Sequence, residues 1–330
     1  MNEKILVTGA SGQLGRRLVR ELRDRSYLVK AHYRTSERAN KYCPAGIERV
    51  LGDITEPAWL DSAARGCDYV IHCAARVSVR PMKDWDYIYK VNVEGTRAVV
   101  EACLRNRVKR LVHLSSVAAV GASMDGQPLT EEAEFNLGGY GIPYFETKRD
   151  AENIALAANG NRLQVIVLNP SIMFSLPDRE FTIRDIRKIP RRLPAYFDFG
   201  INVVETSDVI DAIIKALHAG RPGQRYILAG DDLNPTRAFS LAKKYFGIKR
   251  PLIKIPRSMI YVIGWLAEIA YKSRDKKPKL NRNVARLLKL KFYYSSEKAR
   301  RDLGYSPKPL EQSLEQIAEA IAAARQRLIV

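Results

Sequence analysis

The sequence predicts a doubly wound α/β fold, in which helices cover both faces of a parallel sheet. Short apolar segments rich in β-branched residues recur in the first half of the chain, at residues 4–8, 28–32, 49–52, 69–74, 110–115 and 164–169. Each is followed by a helical pattern, such as the apolar stripe of Leu14, Leu18 and Leu22. Continuous apolar strands that alternate with helices are typical of a buried parallel sheet.

A turn with three glycines joins the first strand to the first helix. Gly9, Gly12 and Gly15 are spaced so that the first allows a tight turn, the second lets a pyrophosphate approach the backbone, and the third lets helix and strand pack closely. The phosphates would rest on the free N–H groups of the helix N-terminus. We therefore predict a Rossmann-type cofactor domain over residues 1–170, although such a turn can also be purely structural. The predicted contacts from this turn are Thr8, Gly9, Ser11, Gly12, Gln13, Leu14 and Gly15.

The composition changes after about residue 170, where Arg and Pro become frequent and strand patterns become sparser. Helices are predicted to begin at Ser207 or Asp208 and after the sequence NPT at residues 234–236, because polar caps precede apolar periodicity there. We predict a smaller, mixed α/β substrate-binding lobe over residues 171–330, from which about residues 200–230 return to the first sheet. A cleft between the two lobes is the expected ligand site.

The bulk composition indicates a globular protein without a metal site. The chain has 330 residues, of which 46% are hydrophobic, and its four cysteines and four histidines show no metal-ligand or disulfide spacing. The first residues lack the apolar region of a signal peptide. The longest apolar stretch, residues 259–271, is too short for a membrane span and contains Glu268. We expect a cytoplasmic location, with attachment to the membrane surface as the alternative.

The net charge of +19 is concentrated in one segment. Between Lys272 and Arg301 there are twelve Lys or Arg residues against two Asp or Glu. A solvated basic surface is the favoured interpretation, and contact with an anionic membrane is the alternative. Nucleic acid is disfavoured as a partner because the sequence contains no recognised binding module, only charge.

A tyrosine and a lysine stand four residues apart in the sequence YFETK, at the predicted start of a helix. Because residues i and i+4 lie on one helical face, the ammonium of Lys148 would lie beside the phenol of Tyr144. This spacing is common, so it needs support from other motifs.

Five further motifs occur in the same chain and in a consistent order. They are TGASGQLG at residues 8–15, GDIT around Asp53, HCAA at 72–75, VNVEGT around Asn92, and LSSVAAVG at 114–121. Together with YFETK, this set resembles the extended short-chain dehydrogenase/reductase family over nearly the full chain. Within it, the segments RRLPAYFDFGINVVETSDV and GRPGQRYILAGDDL are similar to the dihydroflavonol-reductase-like branch, including its hopanoid-associated sugar epimerase relatives.

The resemblance implies roles for matching residues. Ser116, Tyr144 and Lys148 form the catalytic group, and Tyr144 and Lys148 also contact the cofactor. Asp53 and Ile54 contact the adenine. The remaining implied cofactor contacts are Ala74, Ala75, Asn92, Ser115, Pro170 and Ser171. One departure follows the sequence LNPS, where Ser175 and Leu176 replace a pattern closer to a glycine-proline pair, so the substrate of the relatives does not transfer directly.

The second predicted strand indicates which nicotinamide cofactor the site prefers. An NAD site usually has an acid about 20 residues past the glycines, yet residues 28–36 contain none. Arg34 and Arg38 lie there instead, with Lys30 nearby, and a guanidinium matches a 2′-phosphate in geometry and charge. We predict NADP(H), with NAD(H) as the alternative if both arginines are ordinary surface charges.

The three implied catalytic residues have distinct predicted roles. Tyr144 is the acid/base, Lys148 lowers the tyrosine pKa and contacts the ribose, and Ser116 donates to the substrate oxygen. Tyr140 and Ser115 are second-ranked candidates for the tyrosine and serine. His72 and His113 lie within apolar strands and are interpreted as core residues.

Three functions are consistent with the sequence. The first is a reductase that moves hydride between NADPH and a ketone or secondary alcohol. The second is a nucleotide-sugar epimerase that uses the same Tyr/Lys pair, in which Arg184, Arg187, Lys188, Arg191 and Arg192 would bind a diphosphate. The third is a non-catalytic cofactor sensor. Homodimerisation through the helices that begin near Asp86 and Tyr144 is a further expectation from the family.

Overall fold

The computed structural model describes residues 3–77, 85–175, 195–247, 253–270 and 282–326. The strands are β1 Lys4–Thr8, β2 Leu28–Tyr33, β3 Glu48–Leu51, β4 Tyr69–His72, β5 Arg110–Leu114, β6 Gln164–Pro170, β7 Ile172–Phe174, β8 Ala195–Tyr196, β9 Ile201–Glu205, β10 Gln224–Leu228, β11 Asp231–Leu233 and β12 Ile253–Lys254. The helices are α1 Gln13–Asp24, α2 Ser36–Tyr42, α3 Leu60–Ala64, α4 Trp85–Tyr89, α5 Gly95–Arg105, α6 Pro143–Ala157, α7 Thr206–Lys215, α8 Pro235–Phe246, α9 Arg257–Ala270, α10 Arg282–Leu287, α11 Glu297–Leu303 and α12 Leu310–Gln326.

A seven-stranded parallel sheet forms the centre of the fold, with the strand order β10-β6-β5-β4-β1-β2-β3. The order reverses between β1 and β4, where Thr8 lies in register with His72. Ligands of such sheets bind in the crevice outside the carboxyl ends of the strands at this reversal point. The predicted doubly wound α/β fold is confirmed.

Two apolar layers cover the sheet, one on each face. On one face, α1, α7 and α11 contribute buried side chains such as Leu18, Ile213 and Leu303. On the other face, α3, α5 and α6 contribute Leu60, Val99 and Ala155 among others. Because both faces are covered, the central strands are apolar at nearly every position rather than at alternate ones.

The second half of the chain forms smaller sheets beside the main one. Strand β9 pairs in parallel with β7 and antiparallel with β11, and β12 pairs with β8. Strand β10 joins the main sheet next to β6, so the chain returns to the main sheet between β9 and β11 of the smaller mixed sheet. The division of the chain at residue 170 stays a prediction. None of the described helices is long and apolar enough to cross a membrane.

Candidate active site and cofactor cleft

The three glycines of the first turn differ in the space that surrounds the position of a Cβ atom. Gly9 has φ of +74°, and a Cβ there would lie 2.7 Å from the Ala74 nitrogen. A Cβ on Gly15 would lie 2.3 Å from the Gly9 carbonyl oxygen, so this glycine lets α1 pack against the turn. A Cβ on Gly12, the N-cap of α1, would meet only the Gly9 oxygen at 3.3 Å. The backbone at Gly12 is therefore open to a ligand at the helix N-terminus.

An open cleft begins at this turn and runs across the carboxyl ends of β1, β2 and β4. Nine of the predicted cofactor contacts line it, which are Gly9, Ser11, Gly12, Arg34, Arg38, Asp53, Ile54, Ala74 and Ala75. The sequence analysis missed five other lining residues, His32, Cys73, Arg76, Tyr87 and Val91. Arg76 and Tyr87 follow β4 in the chain, and no local motif marks them.

Arg34 and Asp53 lie close together in this cleft. Arg34 Nη1 donates to the Tyr87 hydroxyl at 3.2 Å. Burial would raise the pKa of Asp53, but hydrogen bonds from the N–H and hydroxyl of Thr55 and the charge of Arg34 outweigh it, so the pKa is lowered. Asp53 is thus held as a carboxylate, and both Thr55 bonds end on its Oδ1.

His32 supports the turn from the end of β2. Its Nδ1 accepts from the Gly9 N–H at 3.4 Å, and its Nε2 lies 2.7 Å from the Gly52 carbonyl oxygen. The ring also stacks on Trp59, with centroids 4.1 Å apart. Burial lowers the pKa of His32, so the neutral ring donates from Nε2 and accepts at Nδ1. The sequence analysis missed this role of His32, because no local motif marks a histidine within an apolar strand.

Some residues predicted near the cofactor point elsewhere. The hydroxyl of Thr8 is buried and bonded to His72 Nδ1 at 2.7 Å, and the Gln13 amide donates to Ser175 Oγ at 3.0 Å. Leu14 packs in the core. Lys30, expected near the arginines, donates instead to the carbonyl oxygen of Ala63, because its side chain lies along the covered face of β2.

Ser116, Tyr144 and Lys148 come together beyond β5. Ser116 follows the end of this strand, and its Oγ accepts from the Ala118 N–H at 3.1 Å. Tyr144 lies one turn before Lys148 on α6, which begins at Pro143 after a loop with positive φ at Gly139 and Gly141. The side chain of Ser116 lies close enough to the Tyr144 phenol to lower its pKa. The structure thus unites the three predicted catalytic groups, while their roles stay predictions.

The electrostatics of Tyr144 differ from the expectation. Burial raises the pKa of Tyr144, and the nearby Ser116 side chain offsets only part of that rise. The expected lowering by Lys148 is wrong for this structure. The reason is that burial is the largest effect on the phenol, whereas Lys148 contributes no shift to it and its Nζ donates to the Leu114 carbonyl oxygen at 2.8 Å.

Lys148 is 3% exposed, and this burial is unusual for an ammonium group. Burial lowers its pKa to about 8, against the raising effects of Glu152 and Cys73. Cys73 is one of the residues that line the cofactor cleft, so the lysine lies near the inner end of that cleft.

A buried carboxylate one turn past Lys148 ties the site to the strands behind it. Glu152 is 2% exposed, and its Oε2 accepts from Asn169 Nδ2 at 2.6 Å. The same Nδ2 donates to the Ser116 carbonyl oxygen at 3.0 Å. Arg225 Nη1 approaches Glu152 Oε1 at 3.3 Å. These bonds fix the backbone of Ser116 against α6, and the sequence analysis missed all three residues.

A second buried network connects the glycine turn to α6. His72 Nε2 lies 3.1 Å from the Thr96 hydroxyl, which donates to the Asn92 carbonyl oxygen at 2.6 Å. Asn92 in turn donates to Thr147 at 3.1 Å. Asn92 is 2% exposed and does not line the cleft. Its contact with the cofactor stays a prediction, and the structure shows only an indirect link from Asn92 to the glycine turn.

Two buried hydroxyls provide a test of whether a nicotinamide cofactor fits. The Oγ atoms of Ser115 and Ser171 have no hydrogen-bond partner within the described part of the chain. Both residues follow sheet strands at the carboxyl edge, and Ser171 comes directly after Pro170, the last residue of β6. Unpaired buried hydroxyls suit a polar ligand there. With the open Gly12 backbone and the two arginines, the residues present fit a dinucleotide.

Part of the predicted substrate-binding lobe lies outside the described residues. Leu176 and Phe181, together with the basic run from Arg184 to Arg192, fall among residues that the structure does not describe. Met173 and Phe197 are 38% and 40% exposed, and Phe197 packs edge-on against Phe199.

Comparison with known proteins agrees with this architecture. The model of the NAD dependent epimerase/dehydratase family matches residues 5–229. The chain belongs to this family. Its members' fold is the one described above, and the chain is accordingly an NAD(P)-dependent enzyme of the short-chain dehydrogenase/reductase type. The resemblance found in the sequence is confirmed.

Three relatives illustrate the similarity. A Synechocystis protein described as a candidate dihydroflavonol 4-reductase is 28% identical over 324 residues, which cover 95% of this chain and 93% of the relative. The 4-hydroxy-2-methyl-3-oxo-4-farnesyl-3,4-dihydroquinoline-1-oxide ketoreductase of Stigmatella aurantiaca is 30% identical over 322 residues, covering 94% and 93%. The crystal structure of gox2253 superposes with a TM-score of 0.81 at 29% identity and covers 99% of both chains.

The buried lysine predicts a pH dependence of stability. The folded-state pKa of Lys148, about 8, lies below its ordinary value of 10.5, so between these pH values the unfolded chain binds more protons and stability rises with pH. In Lys148→Met this contribution is absent. The free energy of unfolding of the parent minus that of the variant should increase by up to about 3 kcal/mol over this interval, measured by urea denaturation. Lys90→Met, which removes an exposed lysine, is the control. A difference independent of pH would contradict the burial argument.

Proposed function

We propose that this enzyme is an NADP(H)-dependent oxidoreductase that transfers hydride between the cofactor and a ketone or secondary alcohol. The observation that carries the proposal is the grouping of Ser116, Tyr144 and the buried Lys148 at the carboxyl edge of the sheet that also holds the glycine turn. A proton donor and a cofactor cleft at one edge are the two parts that carbonyl reduction requires.

The nicotinamide supplies or accepts the hydride when it is bound. In the reducing direction, the Tyr144 hydroxyl gives its proton to the substrate oxygen, and Ser116 orients that oxygen by a hydrogen bond. The raised pKa of Tyr144 keeps the phenol protonated at neutral pH, which suits reduction more than oxidation. Lys148 lies one turn past Tyr144 on α6 with its ammonium bound to the Leu114 carbonyl oxygen, and the family resemblance assigns it a contact with the cofactor ribose.

The substrate is proposed to be a bulky organic carbonyl. Two relatives that match nearly the full chain carry the names of a dihydroflavonol reductase and a ketoreductase. The apolar side chains of Ile172 and Met173, which directly follow Ser171, are exposed and offer a surface for an apolar substrate body.

The preference for NADP(H) is proposed from the positive charge of the cleft. Arg34 and Arg38 both line it at the end of β2, where an acid would bind the ribose of NAD. Asp53 also lines the cleft, but it follows β3 rather than β2, and the family resemblance assigns it to the adenine. The two guanidinium groups suit a 2′-phosphate.

Replacement of Tyr144 by Phe tests the chemical proposal. This change removes the proton donor and leaves the ring, so kcat should fall by about 10² to 10⁴ while NADPH affinity is retained. Activity is measured as loss of NADPH absorbance with a panel of ketones, and affinity by fluorescence titration. Tyr140→Phe is the matched control and should keep near-parent turnover. Near-normal turnover of the Tyr144 variant would refute the assignment.

Replacement of Arg34 by Ser tests the cofactor preference. Loss of one charged hydrogen bond should weaken NADP(H) binding by about 10- to 100-fold and leave NAD(H) binding nearly unchanged. Arg65→Ser, which removes an exposed arginine that does not line the cleft, is the control. Tighter binding of NAD than of NADP by the parent protein would overturn the preference.

A nucleotide-sugar epimerase is the second candidate, favoured by the family description. An epimerase returns the hydride to the same substrate and so retains its cofactor through the cycle. Protein purified without added cofactor should carry little nicotinamide if the reductase proposal holds. Near-stoichiometric, reducible nicotinamide in the protein, measured after denaturation by absorbance, would favour the epimerase.

A further inference from the structure

Helix α9 carries apolar side chains on the side that faces away from the protein. Ile260 and Gly264 are buried and mark the inner face. The opposite face presents a stripe at helical spacing, in which each side chain is 45% to 52% exposed: Met259, Val262, Ile263, Leu266 and Ile269. A helix with apolar residues on both faces is normally buried on both, so the outer stripe lacks a cover in the described protein.

The flanks of this stripe are aromatic and exposed. Tyr261 and Trp265 are 45% and 46% exposed and lie one turn apart beside it. Ile253 on β12, four residues before the helix, is 72% exposed. Of the eighteen large apolar side chains that are exposed in the described residues, seven belong to α9. Such concentration on one element marks an interaction surface rather than ordinary scatter.

The surroundings of the helix are basic. Residues 253–270 and 282–289, which include the packed helices α9 and α10, contain five Lys or Arg and one acid. Two of the five basic residues are paired with acids, Arg282 with Glu268 and Arg257 with Asp198, each at 2.6 Å. The exposed basic residues here include Lys254, Arg286 and Lys289. An apolar stripe with aromatic flanks and basic neighbours has the composition of a helix that lies in a membrane interface.

We propose that α9 docks this protein on an anionic lipid bilayer, with the helix lying in the plane of the interface. The helix has 14 residues, about 21 Å, which is shorter than the roughly 30 Å hydrocarbon core. It therefore rests on the bilayer and does not cross it. A second copy of this chain is the less favourable occupant, because each copy carries a net charge of +19 and the two would repel. An anionic lipid surface attracts the same charge.

Sedimentation with vesicles tests the proposal on the full-length protein. The parent should bind phosphatidylserine-containing vesicles at low salt, bind pure phosphatidylcholine vesicles less, and lose affinity as salt is added. The double variant Ile263→Glu/Leu266→Glu places two carboxylates on the stripe and should lower the affinity for anionic vesicles more than about tenfold. Met124→Glu is the matched control, because Met124 is an 81% exposed apolar residue elsewhere and its replacement should leave binding unchanged.

Fluorescence identifies the contacting helix and separates the alternative occupant. Brominated lipids should quench parent emission, and Trp265→Phe should lose most of that quenching. NADPH titration of the double variant verifies that it is folded. Failure of the parent to bind anionic vesicles, or equal binding by the double variant, would overturn the proposal. So would a dimer in vesicle-free solution that the double variant abolishes, since the stripe would then be an interface between copies.

Discussion

The burial of the Lys148 ammonium is the constraint on which the candidate site depends. A positive charge taken out of water must be compensated by hydrogen bonds and by an opposite charge, or it will lose its proton. The Leu114 carbonyl at the end of β5 supplies the hydrogen bond, and Glu152 supplies the charge. Both partners come from the sheet edge and the helix that also carry Ser116 and Tyr144, so satisfying the lysine places the reacting groups.

One face of helix α6 carries the residues of this arrangement, and it extends one turn beyond the Tyr144/Lys148 pair. Tyr144, Lys148 and Glu152 stand at successive turns of one face. Glu152 is held by Asn169 of β6 and by Arg225 of β10, two strands that reach the site from later in the chain. The return of β10 to the main sheet therefore matters for the site, because it brings a guanidinium against the carboxylate that balances Lys148.

The sequence predicted features whose parts are close together in the chain. The glycine turn, the strand–helix alternation and the i, i+4 pair of Tyr144 and Lys148 are all set by local spacing. Contacts between distant segments were not predicted, as with the Arg34 bond to Tyr87 or the Arg225 contact with Glu152, 73 residues away. The direction of the Tyr144 pKa was also wrong, because it depends on how deeply folding buries the phenol. Spacing alone carries no measure of burial.

The two histidines beneath the site show how the lysine charge is isolated. The Thr96 hydroxyl hydrogen is used in the bond to the Asn92 carbonyl oxygen, so Thr96 accepts from His72 Nε2. His72 Nδ1 in turn accepts a hydrogen bond from the Thr8 hydroxyl. Burial, reinforced by the charge of Lys148, lowers the pKa of His72 to about 3 and lowers the pKa of His113 as well. Both rings are therefore neutral at physiological pH, as expected for core histidines. The network from the glycine turn to α6 thus fixes the positions of its residues without adding charge, and Glu152 is the carboxylate that raises the pKa of Lys148 against the effect of burial.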